Sequence, residues 1–232
     1  MAADTTITGS AASAAGSATL ATLRDRVELV LSDTGNATWS TDTLDEAIKH
    51  AIDEYALVSP YRAITTLTLT ADGREVDISS ITNLLEIQRV WWEYTSSDPE
   101  YPPNWREFEI YPGDILFINA GIEPASGDVV RVWYTARHTL NGLDGAGTTT
   151  LPDEHISLIV TGAAAQAALI YAQSIGATVN VDGWTPRRFN DWAEIKYAEF
   201  KTGLARIAAR HAAQKAGIAP IATLDRWDGE GW

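Results

Sequence analysis

Residues 41–70, TDTLDEAIKHAIDEYALVSPYRAITTLTLT, contain the change of pattern that decides the fold of this chain. In the first half, apolar residues recur every three or four positions, which is typical of an amphipathic helix. These residues are Leu44, Ile48, Ile52 and Tyr55, with Ala47 and Ala51 between them. After Ser59-Pro60, apolar and polar residues alternate, which is typical of a strand. The sequence therefore predicts a helix that gives way to a sheet near residue 60.

The strand pattern continues to about residue 137. Further candidate strands are predicted at residues 74–78, 85–94, 108–111, 114–119 and 129–134. Asp72-Gly73 predicts a hairpin between the first two strands, and Pro112-Gly113 joins the fourth to the fifth. About six strands with such short connections favour an antiparallel sheet, a sandwich or a small barrel.

Helical patterns flank this strand block on both sides. Residues 19–32 precede it, and an Ala-rich helix at about 153–175 follows it. A longer helix, with Thr185 as its cap and Pro186 at its first position, is predicted to run to about residue 216. Its apolar side is predicted to contain Phe189, Trp192, Ile195 or Lys196, Phe200, Leu204 and Ile207.

The predicted fold class is therefore α+β, a helical bundle that holds an inserted antiparallel β-domain. The bundle is assigned to residues 18–60 and 150–217, and the β-domain to residues 61–149. Residues 1–17 and 218–232 are poor in apolar bulk, and are interpreted as an extended N-terminal arm and an extended C-terminal tail.

Composition excludes several classes of function. The chain of 232 residues has 17 basic and 31 acidic residues, a net charge of −14, and no basic tract. Specific binding of nucleic acid through phosphate neutralisation is therefore not expected. The absence of cysteine excludes disulfides, thiolate zinc sites and a cysteine nucleophile. The apolar stretch 156–172 is expected to be a buried helix rather than a membrane span.

No motif predicts catalysis, a metal or a cofactor. The four histidines are scattered, and none has the spacing of a two-histidine metal site. Asp33-Thr34-Gly35 matches the short aspartic-protease signature, but a helix precedes it and no second copy exists. It is interpreted as a turn. The glycine-rich stretch 142–147 lacks a following helix and a nearby lysine, and is interpreted as a loop. The chain is therefore not expected to be an enzyme.

Tryptophans are the best candidates for binding. Trp91, Trp92, Trp105 and Trp133 in the strand block are predicted to form core and subunit interface, and stacking on sugars is the alternative. Trp91 and Trp92 are neighbours in one strand, so they should point to opposite faces of the sheet. In the tail, the candidate anchors for a partner are Leu224, Arg226, Trp227 and Trp232.

The order of several segments resembles the head-to-tail adaptor (connector) proteins of tailed bacteriophages. These segments are Leu23-Arg24-Asp25-Arg26-Val27, Trp39 to Ile48, Leu84 to Val90, Val130 to Tyr134 with His138 downstream, and Thr149 to Glu154 with the Ala-rich helix. The resemblance spans about residues 20–175.

The resemblance implies a structural virion protein that assembles as a ring, commonly twelve-fold, beneath the portal protein. Such a ring lines the DNA channel without binding DNA specifically, and it links the capsid to a tail or stopper protein. The resemblance also implies that the C-terminal tail reaches the portal. It further implies that the protein resides in the virion neck after assembly in the host cytoplasm, without a membrane. The alternative function is a Trp-rich carbohydrate-binding or host-attachment module.

Overall fold

The computed structural model describes residues 16–35, 37–99, 103–176 and 184–216. These residues form four α-helices and one six-stranded antiparallel sheet, so the predicted α+β class is confirmed. The helices are α1 (Leu20–Leu31), α2 (Thr41–Val58), α3 (Ile156–Gly176) and α4 (Trp184–Ala216). The strands are β1 (Tyr61–Thr68), β2 (Glu75–Asp77), β3 (Leu84–Trp92), β4 (Trp105–Tyr111), β5 (Ile115–Asn119) and β6 (Val129–Ala136).

The chain divides into two compact units. The β-unit contains residues 60–138, and the helical unit contains the described residues of 16–59 and 139–216. Residues 139–149, which the sequence places in the β-domain, group with the helices. The buried Leu140 belongs to the core of the helical unit, and the Leu20 amide donates to the Asn141 carbonyl at 2.9 Å.

The first two helices begin at side-chain caps. Thr19 and Thr22 form a reciprocal capping box at the start of α1, and the Ser40 hydroxyl accepts from the Thr43 amide at the start of α2. The predicted apolar stripe of α2 is fully buried, which confirms its assignment. Arg24 of α1 and Asp45 of α2 form a bidentate ion pair, with both N–O distances at 2.5 Å. This pair ties the two helices together at a partly exposed position.

Helix α3 contacts each of the other three helices. By length and composition alone, the segment Asp153–Ser174 could cross a membrane, but 56% of its apolar 18-residue window is buried inside the protein. The short side chains of Ala163, Ala164 and Ala167 are completely buried, so neighbouring helices approach closely. Gly162 lies directly against the ring of Phe200 from α4. These contacts show that α3 is a core helix of the helical unit.

Helix α4 contains 33 residues and is about 50 Å long. It begins at Trp184, one residue before the predicted cap Thr185. Phe200, Leu204 and Ile207 are buried as predicted. Of the two alternatives left open by the sequence, Lys196 is half-buried while Ile195 is 61% exposed.

The strand order in the sheet is β1-β6-β3-β4-β5-β2. The predicted hairpin at Asp72-Gly73 is wrong, because β1 pairs with β6 and β2 pairs with β5. The turn residues instead contact the loop before β6. The Gly73 amide donates to the Pro124 carbonyl, and the Asp72 carboxylate accepts from the Ser126 amide. The predicted turn at Pro112-Gly113 does join β4 to β5, where Gly113 adopts a φ of +90°.

The inner face of the sheet buries a single apolar core. Both halves of the sheet contribute residues to this core. They are Val130 and Val132 from β6, Val90 and Trp92 from β3, Leu116 and Ile118 from β5, and Val76 from β2. The sheet is curled, and its two halves share this core.

Candidate interaction surfaces

Aromatic and arginine side chains gather on the outer face of β6, β3 and β4. Trp91 lies opposite Arg131 across one strand pair and opposite Trp105 across the other. Arg89 lies opposite Trp133. Because side chains alternate along a strand, these residues face away from the core of the β-unit. The aromatic–arginine surface consists of Arg89, Trp91, Tyr94, Trp105, Arg131 and Trp133.

The rings of this surface contact one another directly. The Trp91 and Trp133 rings are stacked, with centroids 6.3 Å apart and an interplanar angle of 14°. Trp105 meets Trp133 edge-on, with centroids 5.0 Å apart and an angle of 70°. Trp105 is 42% exposed, whereas Trp91 is only 6% exposed. The exposed part is therefore an uneven apolar patch rather than a flat stacking platform.

Two arginines lie over these rings. The Arg131 guanidinium carbon is 4.6 Å from the Tyr94 centroid and 5.2 Å from the Trp133 centroid. The Arg89 guanidinium carbon is 5.2 Å from the Trp105 centroid. These distances are those of cation–π contacts. Arg131 also donates to the Tyr94 hydroxyl at 2.5 Å.

Two buried N–H donors beneath this surface have no acceptor among the described residues. They are Nε1 of Trp91 and Nε of Arg131. A buried donor without a partner costs about 1–3 kcal/mol. Native proteins rarely leave such groups in place, so this part of the sheet is a candidate for contact with another molecule.

The outer face of β4, β5 and β2 is acidic. Glu107 and Glu109 alternate with inward residues along β4, and Glu75 lies opposite Phe117 of β5. The Tyr111 and Phe117 rings stack between these carboxylates, with centroids 5.4 Å apart. Burial, followed by the nearby charge of Glu109, raises the pKa of Tyr111. The acidic surface consists of Glu75, Asp77, Glu107, Glu109, Tyr111 and Phe117.

The structure brings together three of the four tryptophans predicted as interface residues. Trp91, Trp105 and Trp133 belong to the aromatic–arginine surface. Trp92 lies in the core, 2% exposed, and its Nε1 donates to the Asp128 carboxylate at 3.1 Å. The opposite orientation of Trp91 and Trp92 is as predicted. The predicted tail anchors Leu224, Arg226, Trp227 and Trp232 lie outside the described residues.

Sequence reasoning missed both the arginines over the rings and the acidic surface. A signal was present in Trp105–Tyr111, WREFEIY, where Glu107 and Glu109 share a face with Trp105. Placing Arg131 beside Trp91 requires the register between β3 and β6, which are about 40 residues apart in the chain. No local pattern specifies that register.

The helical unit contains a cavity of about 440 Å³ between the end of α1 and the start of α4. It is lined by Val30, Leu31, Ser32, Trp39, Arg188, Phe189 and Trp192. Trp39 anchors one wall, because its Nε1 donates to the carbonyl of Ala167 in α3 at 3.1 Å. The cavity has mostly apolar walls, and a single arginine supplies the charge.

A second cavity, of about 370 Å³, lies where the residues preceding α3 meet the C-terminal part of α4. Its lining includes His155, Arg206 and Arg210. Nδ1 of His155 is 2.7 Å from the Tyr55 hydroxyl, and burial lowers the pKa of this imidazole. The histidine therefore joins α2 to the start of α3 through its hydrogen bond with Tyr55.

Asp33, from the short sequence that matches the aspartic-protease signature, has a structural role in the loop between α1 and α2. Its carboxylate accepts from the backbone amides of Ala37, Thr38 and Trp39 at 2.9–3.1 Å. These bonds lower its pKa, with the Trp39 and Thr38 amides as the largest causes. The carboxylate therefore holds the loop between α1 and α2. Within the described ranges, no group of three or more histidine, aspartate or glutamate side chains could hold a metal ion.

Comparison with known proteins agrees with the resemblance seen in the sequence. The profile of the SU10 adaptor protein family matches residues 18–223. No curated protein sequence matched significantly. Among solved structures, a chain described as the neck of an empty GTA particle, computed with C6 symmetry, is 16% identical. That alignment covers 62% of this chain and 74% of the other, with a TM-score of 0.29. The family match spans most of the chain and confirms the resemblance to head-to-tail adaptor proteins. This chain belongs to the SU10 adaptor protein family.

Proposed function

We propose that this chain is a structural virion protein that forms a ring-shaped adaptor beneath the portal, in the neck of a tailed phage. The ring lines the DNA channel and links the capsid to the tail or to a stopper protein. The observation that carries this proposal is the family match, because it spans both the helical unit and the β-unit. The four helices are proposed to form a helical bundle, and the β-unit to be a domain inserted into it.

The charge of the chain supports a channel role. Each copy carries a net charge of −14, and the charge multiplies with the number of subunits in a ring. An acidic wall repels phosphate, so DNA can move past it without being held. We propose a ring of twelve subunits. DNA passes through the channel of this ring without binding to it specifically.

The C-terminal tail is proposed to dock on the portal. Its candidate anchors, Leu224, Arg226, Trp227 and Trp232, follow directly after the family match, which ends at residue 223. Trp and Arg side chains are over-represented among residues that dominate binding energy. A short segment with two tryptophans is therefore suited to fill pockets on a larger partner.

The test is co-purification of the full-length chain with the portal protein encoded in the same genome, followed by electron microscopy. A ring added beneath the portal is expected. The first variant lacks residues 218–232, and the second replaces Trp227 and Trp232 with alanine in the full-length chain. Both variants should lose portal binding while keeping the circular dichroism spectrum of the helices.

Two other outcomes would change this assignment. Portal binding that survives deletion of residues 218–232 would refute the docking role of the tail. Absence of any complex between the wild-type chain and the portal would refute the position beneath it. A glycan-binding module is less well supported, because Trp92 is in the core and the remaining tryptophan rings do not form a flat exposed platform.

A further inference from the structure

We propose that the acidic segment 225–230 of the C-terminal tail binds in the second cavity of the helical unit, beside Arg206 and Arg210 of its own α4. The inference goes beyond the proposed function, because the contact lies within one copy of the chain and needs no portal. This cavity, which we call the arginine cavity, is lined by Glu154, His155, Arg206, Ile207 and Arg210.

The first argument is the unpaired charge of the arginine cavity. Arg206 and Arg210 lie about one turn apart on α4 and are exposed, and neither forms an ion pair with a carboxylate in the described part of the chain. A lysine of the same helix does find such a partner, since Lys196 lies 2.8 Å from the Glu199 carboxylate. In a chain with a net charge of −14, two neighbouring arginines without acids favour an acidic occupant.

The second argument is the chemistry of the other lining residues. Among the described residues, Glu154 is the one carboxylate of this lining, and its oxygen lies 3.4 Å from Nε2 of His155. The other ring nitrogen of His155 is occupied by its hydrogen bond with Tyr55. Ile207, which is buried, supplies an apolar wall. An incoming carboxylate would therefore meet two guanidinium groups in a concave site of about 370 Å³, where charged hydrogen bonds are stronger than on an open surface.

The third argument is the sequence that follows α4. Residues 217–224 contain no charged side chain, so they form an uncharged connection between the helix and the acids. Residues 225–230 then contain the three acids Asp225, Asp228 and Glu230 and a single basic residue, Arg226. Carboxylates match the planar fork of a guanidinium group, which can donate two parallel hydrogen bonds to one carboxylate. The segment therefore has the chemistry that the arginine cavity lacks.

The fourth argument is reach. Arg210 precedes the end of α4 at Ala216 by six residues, which corresponds to about 9 Å of helix. Asp225 follows Ala216 by nine residues, which span up to about 30 Å when extended. The acidic segment can therefore turn back to the cavity without being fully stretched. Because both partners belong to one chain, their effective concentration is about millimolar, so contacts that are weak between separate molecules can hold the segment in place.

The test measures the distance between the acidic segment and α4 in the full-length chain. The absence of cysteine allows two spin labels to be attached at chosen positions. One label is placed on Ala209→Cys, an exposed position of α4 between the two arginines, and the other on Gly231→Cys, just after the acidic segment. Double electron–electron resonance then reports the distribution of distances between the labels.

Two pairs of substitutions are compared in this labelled chain. The test variant combines Arg206→Gln with Arg210→Gln, which removes both charges of the cavity. The matched control combines Arg187→Gln with Arg188→Gln. It removes two exposed arginines from the same helix, about 33 Å from Arg210 along the helix axis. Both variants therefore have the same net charge, and only the test variant alters the arginine cavity.

The wild-type chain is expected to show a narrow population at short distance, because the bound segment lies beside α4. The test variant should lose most of this population and leave the broad distribution of a free tail. The control should keep it, and added salt should reduce it in the wild type. Replacing both cavity arginines with glutamate should abolish the population, and changing Asp225, Asp228 and Glu230 to arginine in that variant should restore it.

The proposal is overturned if the wild type shows only a broad distribution, or if the test and control variants lose the short distance equally. It is also overturned if a mixture of chains with one label each shows the short distance, because the occupant is then the tail of a second copy. The proposed function fails separately: a chain whose acidic segment lies in the arginine cavity but which never binds the portal supports this contact and refutes the position beneath the portal.

Discussion

Gly162 of α3 provides a direct test of how closely the helices approach. A Cβ added at this position would lie 2.8 Å from Cδ2 and 2.9 Å from Cγ and Cε2 of Phe200. Carbon atoms in good contact are roughly 3.5–4.0 Å apart, so the ring would have to move by about 0.7 Å. Phe200 is completely buried, and its ring has little free space around it. Gly162→Ala should therefore destabilise the helical unit.

The magnitude follows from two opposing effects. Alanine stabilises a helix relative to glycine by about 1 kcal/mol. Forcing an extra methyl group into a well-packed core costs about 1–3 kcal/mol. We expect Gly162→Ala to lower the free energy of unfolding by on the order of 1 kcal/mol, and the larger cost applies if the ring cannot shift.

Gly203 of α4 offers a matched control. Its added Cβ would meet Cδ1 of Leu158 at 2.3 Å, but this atom is the end of a flexible, half-buried side chain that can change rotamer. Gly203→Ala should be neutral or stabilising by up to about 1 kcal/mol. The assay is urea unfolding of the full chain, followed by far-ultraviolet circular dichroism, which reports mainly on the helices.

The reasoning is refuted if Gly162→Ala is as stable as the wild type, or if both glycine variants change stability equally. A further check combines Gly162→Ala with Phe200→Leu. Because the smaller side chain removes the clash, the double variant should be more stable than the sum of the two single effects predicts.

Three further changes test other contacts of the helical unit. Asp33→Asn should destabilise the protein at neutral pH, because the carboxylate accepts hydrogen bonds that lower its folded pKa. The contribution of Asp33 is full above the unfolded pKa, so the difference should begin to shrink below about pH 4 and disappear only once the pH falls below the folded pKa. Equal stability differences at pH 7 and in strong acid would contradict this. Trp39→Phe should cost about 1 kcal/mol in thermal unfolding, because it removes the hydrogen bond to the Ala167 carbonyl; an unchanged melting temperature would show that this bond is not needed. In a double-mutant cycle, alanine substitutions of Arg24 and Asp45 should give a coupling of about 0.5–1 kcal/mol that shrinks with added salt, whereas a salt-independent coupling would argue against an ion pair.

Local pattern was sufficient to predict most elements of this fold. The stripe of α2 from Leu44 to Tyr55 specifies one buried helical face, and the structure buries all of it. The turn at Pro112-Gly113 was also predicted, since β4 and β5 are neighbours in both sequence and space. In such cases, the residues that form the element also determine which face is buried or which neighbouring strand it pairs with.

Long-range pairing was not predictable in the same way. Asp72-Gly73 has the residues of a hairpin turn, but β1 finds its partner in β6, and Tyr61 lies opposite Ala136. Turn residues predict that the chain reverses direction there. They do not predict which strand each flanking strand will pair with. The same limit applies to the candidate site. Alternation predicts that Trp91 and Trp92 point to opposite faces, but only the register of distant strands places Arg131 beside Trp91.

The pairing of Tyr61 with Ala136 also has an evolutionary consequence. In an antiparallel pair, opposite Cα atoms lie about 4.5–5.5 Å apart, so the β-unit starts and finishes at adjacent points in space. A turn of a few residues could close that gap and leave the helical unit as a continuous chain. We therefore expect the helical unit to keep its own core if recombination enlarges, replaces or removes the β-unit.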